Sequence, residues 1–408
     1  MLASRSAVEI AQQSRFRILL ICDSYPPVLG GSEIEAQRVG ASLIARGHLV
    51  HVICSGGPPM PPVREWTDPL NIPVGILTRR SRGRWKDIVF ALEVARKIWR
   101  SKGEYDIVYF LMQGLHVATG LPVARLRRLP IVMKISGSGI VTMMRASFIG
   151  RLELKWLRRW ALRLMLLNEG MADEAAAAGF SREQLMWMPN PVNIDEFRPA
   201  LPGEAAAWRR DRGIPEHACV VIYVGRLSQE KGLRGLIGGF ARAANTVSEA
   251  LLLVVGDGPM RPELEALARE VMPNQNRIRF TGRIDAAEVP SWLRAGDIFA
   301  LTSPAEGFSC ALLEAMATGL ASLVSDIPAN RQLIDPEAQG IAVPYDSEEA
   351  IAQALLRLFG DRELRHRLGE SGRRRVVENY STDRVAERYE ALFREAATPT
   401  SSAPREIR

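Results

Sequence analysis

Two stretches of this chain repeat one order: a short, nearly unbroken apolar run, a glycine-bearing loop, then a segment of helical period. Phe16–Cys22 is the first run, and a loop from Asp23 to Gly31 follows it. A helix is expected from Ser32, whose Ser-x-x-Glu spacing to Glu35 matches a capping box. It ends near Gly47, and Leu49–Cys54 is the next run, with others at 107–111, 131–135 and 164–167. Runs that are apolar on both faces suit parallel strands covered by helices on each side. The order restarts at Cys219–Val224, which enters Gly225-Arg226, and at Leu251–Val255, which enters Gly256-Asp257-Gly258-Pro259. Runs at 277–280 and 298–301 follow. This alternation predicts an α/β fold with two Rossmann-like, doubly wound parallel sheets.

Between the two halves, Met188–Pro199 holds three prolines and reads as a linker. The expected division is an N-terminal domain over 16–195 and a C-terminal domain over 196–381, with a cleft between them. A last helix over 382–396 lies past the natural end of the second sheet and is expected to pack back across the hinge. Residues 1–15 and 397–408 read as disordered tails.

A chain of 408 residues suits two or three domains, and no apolar run reaches the ~20 residues of a membrane span. The first fifteen residues lack the apolar core of a signal peptide. Cys22, Cys54, Cys219 and Cys310 are far apart in sequence. They fit reduced, buried thiols of a cytoplasmic protein better than disulfides or a metal site. The charge is uneven: residues 1–195 carry a net +10 and residues 196–408 a net −3, and no acidic residue occurs between Asp106 and Glu153. The basic half is either a solvated face or a surface for an anionic partner such as phospholipid headgroups. Nucleic acid is not the expected partner, because the basic residues form no recognised nucleic-acid motif. A cationic segment over 151–163 carries Trp156 and Trp160. Its apolar positions either bury in the first domain or meet a bilayer interface.

The chemistry concentrates in the second half. Glu306 and Glu314 form a Glu-x7-Glu pattern, the first in a loop and the second inside a helix that Ser309 is expected to cap. The free amides of that helix start would lie between the two carboxylates and would bind phosphate. Carboxylates flanking a phosphate site suit a ligand that is part hydroxyl and part diphosphate. Arg226 and Lys231 sit in Gly225-Arg226-Leu227-Ser228-Gln229-Glu230-Lys231-Gly232, directly after a strand, where ligands of parallel sheets bind. The two cations are placed to clamp a diphosphate. The loop has no Walker pattern, and no Gly-x-Gly-x-x-Gly follows the first strand, which weighs against an ATPase and a dehydrogenase.

Six motifs in order resemble those of a retaining glycosyltransferase of the GT-B fold, family four (glycosyl transferases group 1), and the resemblance covers about residues 16–395. The motifs are Pro26-Pro27-Val28-Leu29-Gly30-Gly31, Asp195-Glu196-Phe197, the Gly225–Gly232 segment, Gly256–Pro259, Phe280-Thr281-Gly282-Arg283 and the Glu-x7-Glu segment. The resemblance implies transfer of a hexosyl group from a UDP- or GDP-sugar to a glycan or lipid-linked acceptor with retained anomeric configuration. It implies no metal and no cofactor beyond the donor. The expected setting is polysaccharide or glycolipid synthesis, in the cytoplasm or peripheral to the membrane. By resemblance, Arg226 and Lys231 hold the diphosphate, Glu306 faces the donor sugar and Glu314 holds the ribose. The amides of Gly307, Phe308 and Ser309 bind phosphate, and Gly30 and Gly31 let donor and acceptor approach. The family's sugar-facing His is missing from Ile131–Gly139, so His116, Gln113, Lys134 and Ser136 are the candidates for that place. Gly319-Leu320-Ala321-Ser322 and Gln332 also depart from the family pattern. A non-catalytic nucleotide-sugar-binding or scaffold protein on the same fold is the alternative.

Overall fold

The computed structural model describes residues 15–28, 31–56, 63–78, 84–273 and 276–397. Of the expected tails 1–15 and 397–408, residues 1–14 and 398–408 lie outside the described residues, as does Gly30, whereas Ala397 ends a helix. The chain forms two units. One joins 15–191 to the terminal helix Thr382–Ala397, and the other is Val192–Ser381. The division therefore falls at Pro191, inside the proline-rich linker, rather than after residue 195.

The first unit is built on eight strands: β1 (Arg17–Cys22), β2 (Leu49–Cys54), β3 (Glu65–Thr67), β4 (Pro73–Ile76), β5 (Ile107–Leu111), β6 (Ile131–Lys134), β7 (Arg163–Leu166) and β8 (Leu185–Trp187). Their order is β3-β4-β2-β1-β5-β6-β7-β8. Every pair is parallel except β3 with β4. β1 and β5 are buried almost throughout because helices cover both faces of the sheet. The returning helix Thr382–Ala397 completes this core with Val385, Tyr389, Leu392 and Phe393. It is pinned by Glu390, which pairs with Arg46 at 2.7 Å, and by a 2.9 Å hydrogen bond between the Tyr109 and Tyr389 hydroxyls.

The second unit has six strands: β9 (Cys219–Val224), β10 (Ala250–Val255), β11 (Ile278–Gly282), β12 (Ile298–Leu301), β13 (Ala321–Ser325) and β14 (Gly340–Val343). All pair in parallel, in the order β11-β10-β9-β12-β13-β14. Counted within the unit this is 3-2-1-4-5-6, so the connections reverse direction between β9 and β12. The loops leaving the carboxyl ends of those two strands flank the switch point, where open α/β sheets bind ligands. In the first unit the same reversal lies between β1 and β5.

Candidate active site

The loop after β9 is shaped by three close backbone contacts. Gly256 has φ +135°, and a Cβ there would lie 1.9 Å from the Gly225 carbonyl, so the loops after β9 and β10 touch backbone to backbone. Leu227 donates its amide to the Asp257 carbonyl at 3.0 Å and accepts from the Met260 amide at 3.0 Å. Gly232 has φ +64°, and a Cβ there would lie 2.0 Å from the Thr302 carbonyl. Only glycine fits such an approach at positive φ. Thr302 returns the contact by donating its hydroxyl to the Gly232 carbonyl at 3.1 Å.

That closure brings together two residues 75 apart in sequence. Lys231 donates from Nζ to Glu306 Oε1 at 2.8 Å, with the Glu306 side chain 9% and the Lys231 side chain 24% exposed. The sequence placed both at one ligand but not in contact; the fold makes them an ion pair across the switch point. Arg226 is exposed at the start of the same loop. Its carbonyl accepts a 2.9 Å hydrogen bond from the Tyr223 hydroxyl. Burial raises the pKa of that phenol, and the nearby Glu306 carboxyl adds to the effect.

Ser309 caps the helix Cys310–Thr318, accepting from the Leu312 amide at 3.2 Å. Glu314 lies inside this helix and is buried. Phe308 is buried, with its ring 6.1 Å between centroids from that of Tyr380. The residues before Glu306 are tied down from the far side. Ser325 donates its hydroxyl to the Ser303 carbonyl at 2.5 Å, and the fully buried Asn330 donates to the Ser325 carbonyl and hydroxyl at 3.0 Å each. Sequence reasoning missed this Asn330–Ser325–Ser303 tether and Tyr223. Small buried polar residues have no periodic signature, and only the sheet order brings β13 beside β12.

The first unit corrects several expectations. Ser32 does not cap its helix, which begins at Gly31 (Gly31–Ala45), and Glu35 is no capping partner. Glu35 is buried and forms an ion pair with Lys134. Lys134 is fully buried and also donates to Asn190 Oδ1 at 2.9 Å, so it is a core cation and not a sugar-facing group. Burial raises the pKa of the Glu35 carboxyl against the pull of Lys134. The Ser136 hydroxyl sits near that carboxyl without completing a hydrogen bond, and it too points inward. His116 is buried against Phe90 and Phe110, with ring centroids 5.2 and 6.4 Å away. Burial pushes its pKa down to about 4, so it is a neutral core residue. Gln113 is half-buried in the loop after β5, at the reversal point of the first sheet. The preceding Met112 has φ +75°, a strained conformation for a bulky residue and a kind found at functional loops. A Cβ on Gly31 would enter open space, so packing does not require glycine there. The helix Phe148–Trp160 buries Leu154 and Leu157 in the first unit, so those positions of the segment 151–163 are core. Its cationic side chains line a groove of about 640 Å³ with Arg125 and Gln184.

Among the described residues no group of three or more His, Cys, Asp and Glu is placed to hold a metal ion. No helix among them is long and apolar enough to cross a membrane.

Two parallel sheets, each reversing its connections beside its first strand, make the GT-B fold. Solved structures agree. The HepE protein of Anabaena, solved with UDP and glucose, superposes with a TM-score of 0.75 at 18% identity, covering 93% of this chain and 100% of that one. Sucrose-phosphate synthase from Thermosynechococcus elongatus gives 0.75 at 22% identity, over 93% and 99%. The model of glycosyl transferases group 1 matches residues 204–375, and that of the glycosyl transferase 4-like domain matches 30–191. The chain belongs to the group 1 glycosyltransferases and is a glycosyltransferase. Phosphatidyl-myo-inositol mannosyltransferase of Mycobacterium tuberculosis is 25% identical over 402 residues, 93% of this chain and 97% of that protein. Alpha-D-kanosaminyltransferase of Streptomyces kanamyceticus is 27% identical over 282 residues, 67% and 72% of the two. The UDP-Gal:alpha-D-GlcNAc-diphosphoundecaprenol alpha-1,3-galactosyltransferase of Escherichia coli is 26% identical over 304 residues, 72% and 76%.

Proposed function

We propose that this glycosyltransferase moves a hexosyl group from a UDP- or GDP-sugar to a lipid-linked or glycan acceptor, with retained configuration and without a metal ion. The observation that carries the reading is the Lys231–Glu306 pair at the β9/β12 switch point, beside the capped start of the helix Cys310–Thr318. Lys231 and Arg226 bind the diphosphate and offset charge that grows on the leaving oxygen. The amides of Gly307, Phe308 and Ser309 add donors at the helix start. Glu306 accepts hydrogen bonds from donor-sugar hydroxyls and favours positive charge at the anomeric carbon. Glu314 holds the ribose. Gly31, with nothing to contact at its Cβ position, leaves room for ligand in the first unit, and Gln113 is the remaining sugar-facing candidate there.

In the reaction the anomeric carbon loses its bond to the diphosphate oxygen and gains one to the acceptor oxygen on the same face. The acceptor proton passes to the departing diphosphate. Relatives whose names include phosphatidyl-myo-inositol and diphosphoundecaprenol substrates support a lipid-linked acceptor, used at the cytoplasmic membrane face in glycolipid or polysaccharide synthesis. The HepE structure with UDP supports a uridine donor.

The test is a thermal-shift screen of UDP-, GDP- and ADP-sugars, followed by transfer assays with the stabilising donor and proton NMR of the product anomer. A ligand that binds only the native state raises the melting temperature. Stabilisation by none of them, or an inverted product, refutes the corresponding part. Turnover should survive exhaustive EDTA treatment; loss restored by magnesium or manganese refutes metal independence.

A further inference from the structure

The helix Arg84–Arg100 is apolar on two opposite faces. Phe90, Ala91, Val94 and Ile98 are buried in the first unit. Trp85, Ile88, Leu92 and Trp99 face water, 72%, 39%, 61% and 55% exposed. At 3.6 residues per turn these four fall within an arc of about 60°, and the two tryptophans stand about 21 Å apart along the axis. An apolar stripe of this length on a water-facing helix marks an interaction surface. Cations border it: Arg96 and Arg100 lie on the helix beside it, and the Arg127 guanidinium stands 5.5 Å from the Trp99 ring centroid. The helix has two acids, Asp87 and Glu93, and Glu93 is paired with Arg96 at 3.0 Å.

The stripe lies close to the ligand edge of the first sheet. Lys86 is near enough to Asp23, the first residue after β1, to favour its charged form. The Trp85 end therefore lies at the carboxyl-end edge of the sheet, where β1 and β5 reverse. The helix packs on Leu115–Leu126, which packs on Phe148–Trp160, so the three share one layer. Exposed Phe148 and Ile149 begin the third of these helices, next to Arg151.

We propose that the Trp85–Ile88–Leu92–Trp99 stripe is the surface by which the first unit docks on an anionic lipid bilayer. Tryptophans at both ends suit the headgroup region, and Arg96 and Arg100 reach lipid phosphates while their stems follow the apolar face. A second copy of this chain is the poorer occupant, because a two-fold contact through the stripe sets these like charges against each other. Docking brings the β1/β5 edge to the depth at which the head of a lipid-linked acceptor sits. That purpose rests on the function proposed above, whereas the binding itself does not. The proposed surface is thus the helix Arg84–Arg100; of the segment 151–163, which the sequence left open between burial and a bilayer interface, Leu154 and Leu157 are core.

The experiment is flotation with vesicles of phosphatidylcholine alone and of phosphatidylcholine with phosphatidylglycerol, at low and high salt. Compared are the full chain, a Trp85→Ser/Leu92→Ser/Trp99→Ser variant and an Arg96→Gln/Arg100→Gln variant. The wild type should bind acidic vesicles at low salt and weaken with salt. The apolar variant should lose about tenfold or more in partitioning at every salt concentration, and the charge variant should lose the salt dependence. Both variants should keep the wild-type melting temperature and its shift by UDP, since the changed side chains lie at the surface. Equal binding by the apolar variant, or no binding by the wild type at low salt, overturns the proposal. So does sedimentation showing a lipid-free wild-type dimer that the apolar variant abolishes, because the stripe would then be a protein interface. Intact flotation with no glycosyl transfer leaves this surface standing and removes the proposed function instead.

Discussion

Replacing Lys231 by Met removes one partner of a 2.8 Å ion pair whose other member is only 9% exposed. At that distance the gross Coulomb attraction is about 6 kcal/mol for an effective dielectric of 20. Desolvation of both groups cancels most of it, and the exposed quarter of Lys231 screens the rest, so a net of about 1–2 kcal/mol remains in the unliganded protein. Lys231→Met and Glu306→Gln, alone and together, form a double-mutant cycle. Urea unfolding should give a coupling of about 1–2 kcal/mol, with the double variant more stable than the two single costs would predict. Catalysis should lose more than folding does. Lys231 is assigned to the leaving diphosphate, and losing a charged donor to a growing negative charge costs about 2–4 kcal/mol in the transition state. That is about 30- to 700-fold in turnover at a tenfold loss per 1.4 kcal/mol. The assay is steady-state transfer from the donor that the thermal screen selects, with circular dichroism to confirm folding. Wild-type turnover in both folded single variants refutes the site. A stability coupling near zero refutes the ion pair as a feature of the free protein.

The two carboxylates should fail differently. Glu306→Gln should lower kcat more than it raises the donor KM, and Glu314→Gln should mainly raise KM, because the ribose does not react; the reverse pattern in donor kinetics swaps the assignments. Gly232→Ala puts a Cβ 2.0 Å from the Thr302 carbonyl at φ +64°. It should cost about 2–4 kcal/mol and lower the melting of the second unit by about 5–15 °C, read by calorimetry; an unchanged melting temperature would mean that the two loops do not touch. Glu153 is buried on the helix Phe148–Trp160, and burial pushes its pKa up to about 7, opposed by a hydrogen bond from the Gly114 amide. Its folded value exceeds its unfolded one, so the native state holds a proton that the unfolded chain has released. Stability should therefore fall as pH rises from about 4.5 to 7, by at most ~3 kcal/mol. Glu153→Gln should flatten that part of the stability profile in urea titrations; an unchanged slope shows that Glu153 does not carry it.

The two sheets, and the motifs that follow β9 and β12, were legible in the chain alone. Apolar runs such as Ile18–Cys22 in β1 and Cys219–Val224 in β9 announce buried parallel strands, because a strand covered on both faces needs no polar side. Ser309 was readable as a cap because N-capping is a local hydrogen bond between residues three apart. The motifs after β9 and β12 were readable for the same reason: glycines, cations and carboxylates are set by their immediate backbone. The strand β13 was not, since Ala321–Ser325 is short and contains two serines, and it is a strand only because β12 and β14 pair with it.

Which of the candidate polar residues are buried in the core was decided by packing. Lys134, His116 and Ser136 all follow or adjoin strands, where a ligand group would be expected. Their burial depends on what packs over them: Glu35 and Asn190 on Lys134, Phe90 and Phe110 on His116. The same holds for the helix Arg84–Arg100, of whose two apolar faces only one is covered by its neighbours. The Lys231–Glu306 pair is likewise a product of strand order, because β9 and β12 are neighbours in the sheet and not in the chain. Local periodicity can say that a side chain is apolar or charged; which atoms stand opposite it is set by contacts between residues distant in sequence.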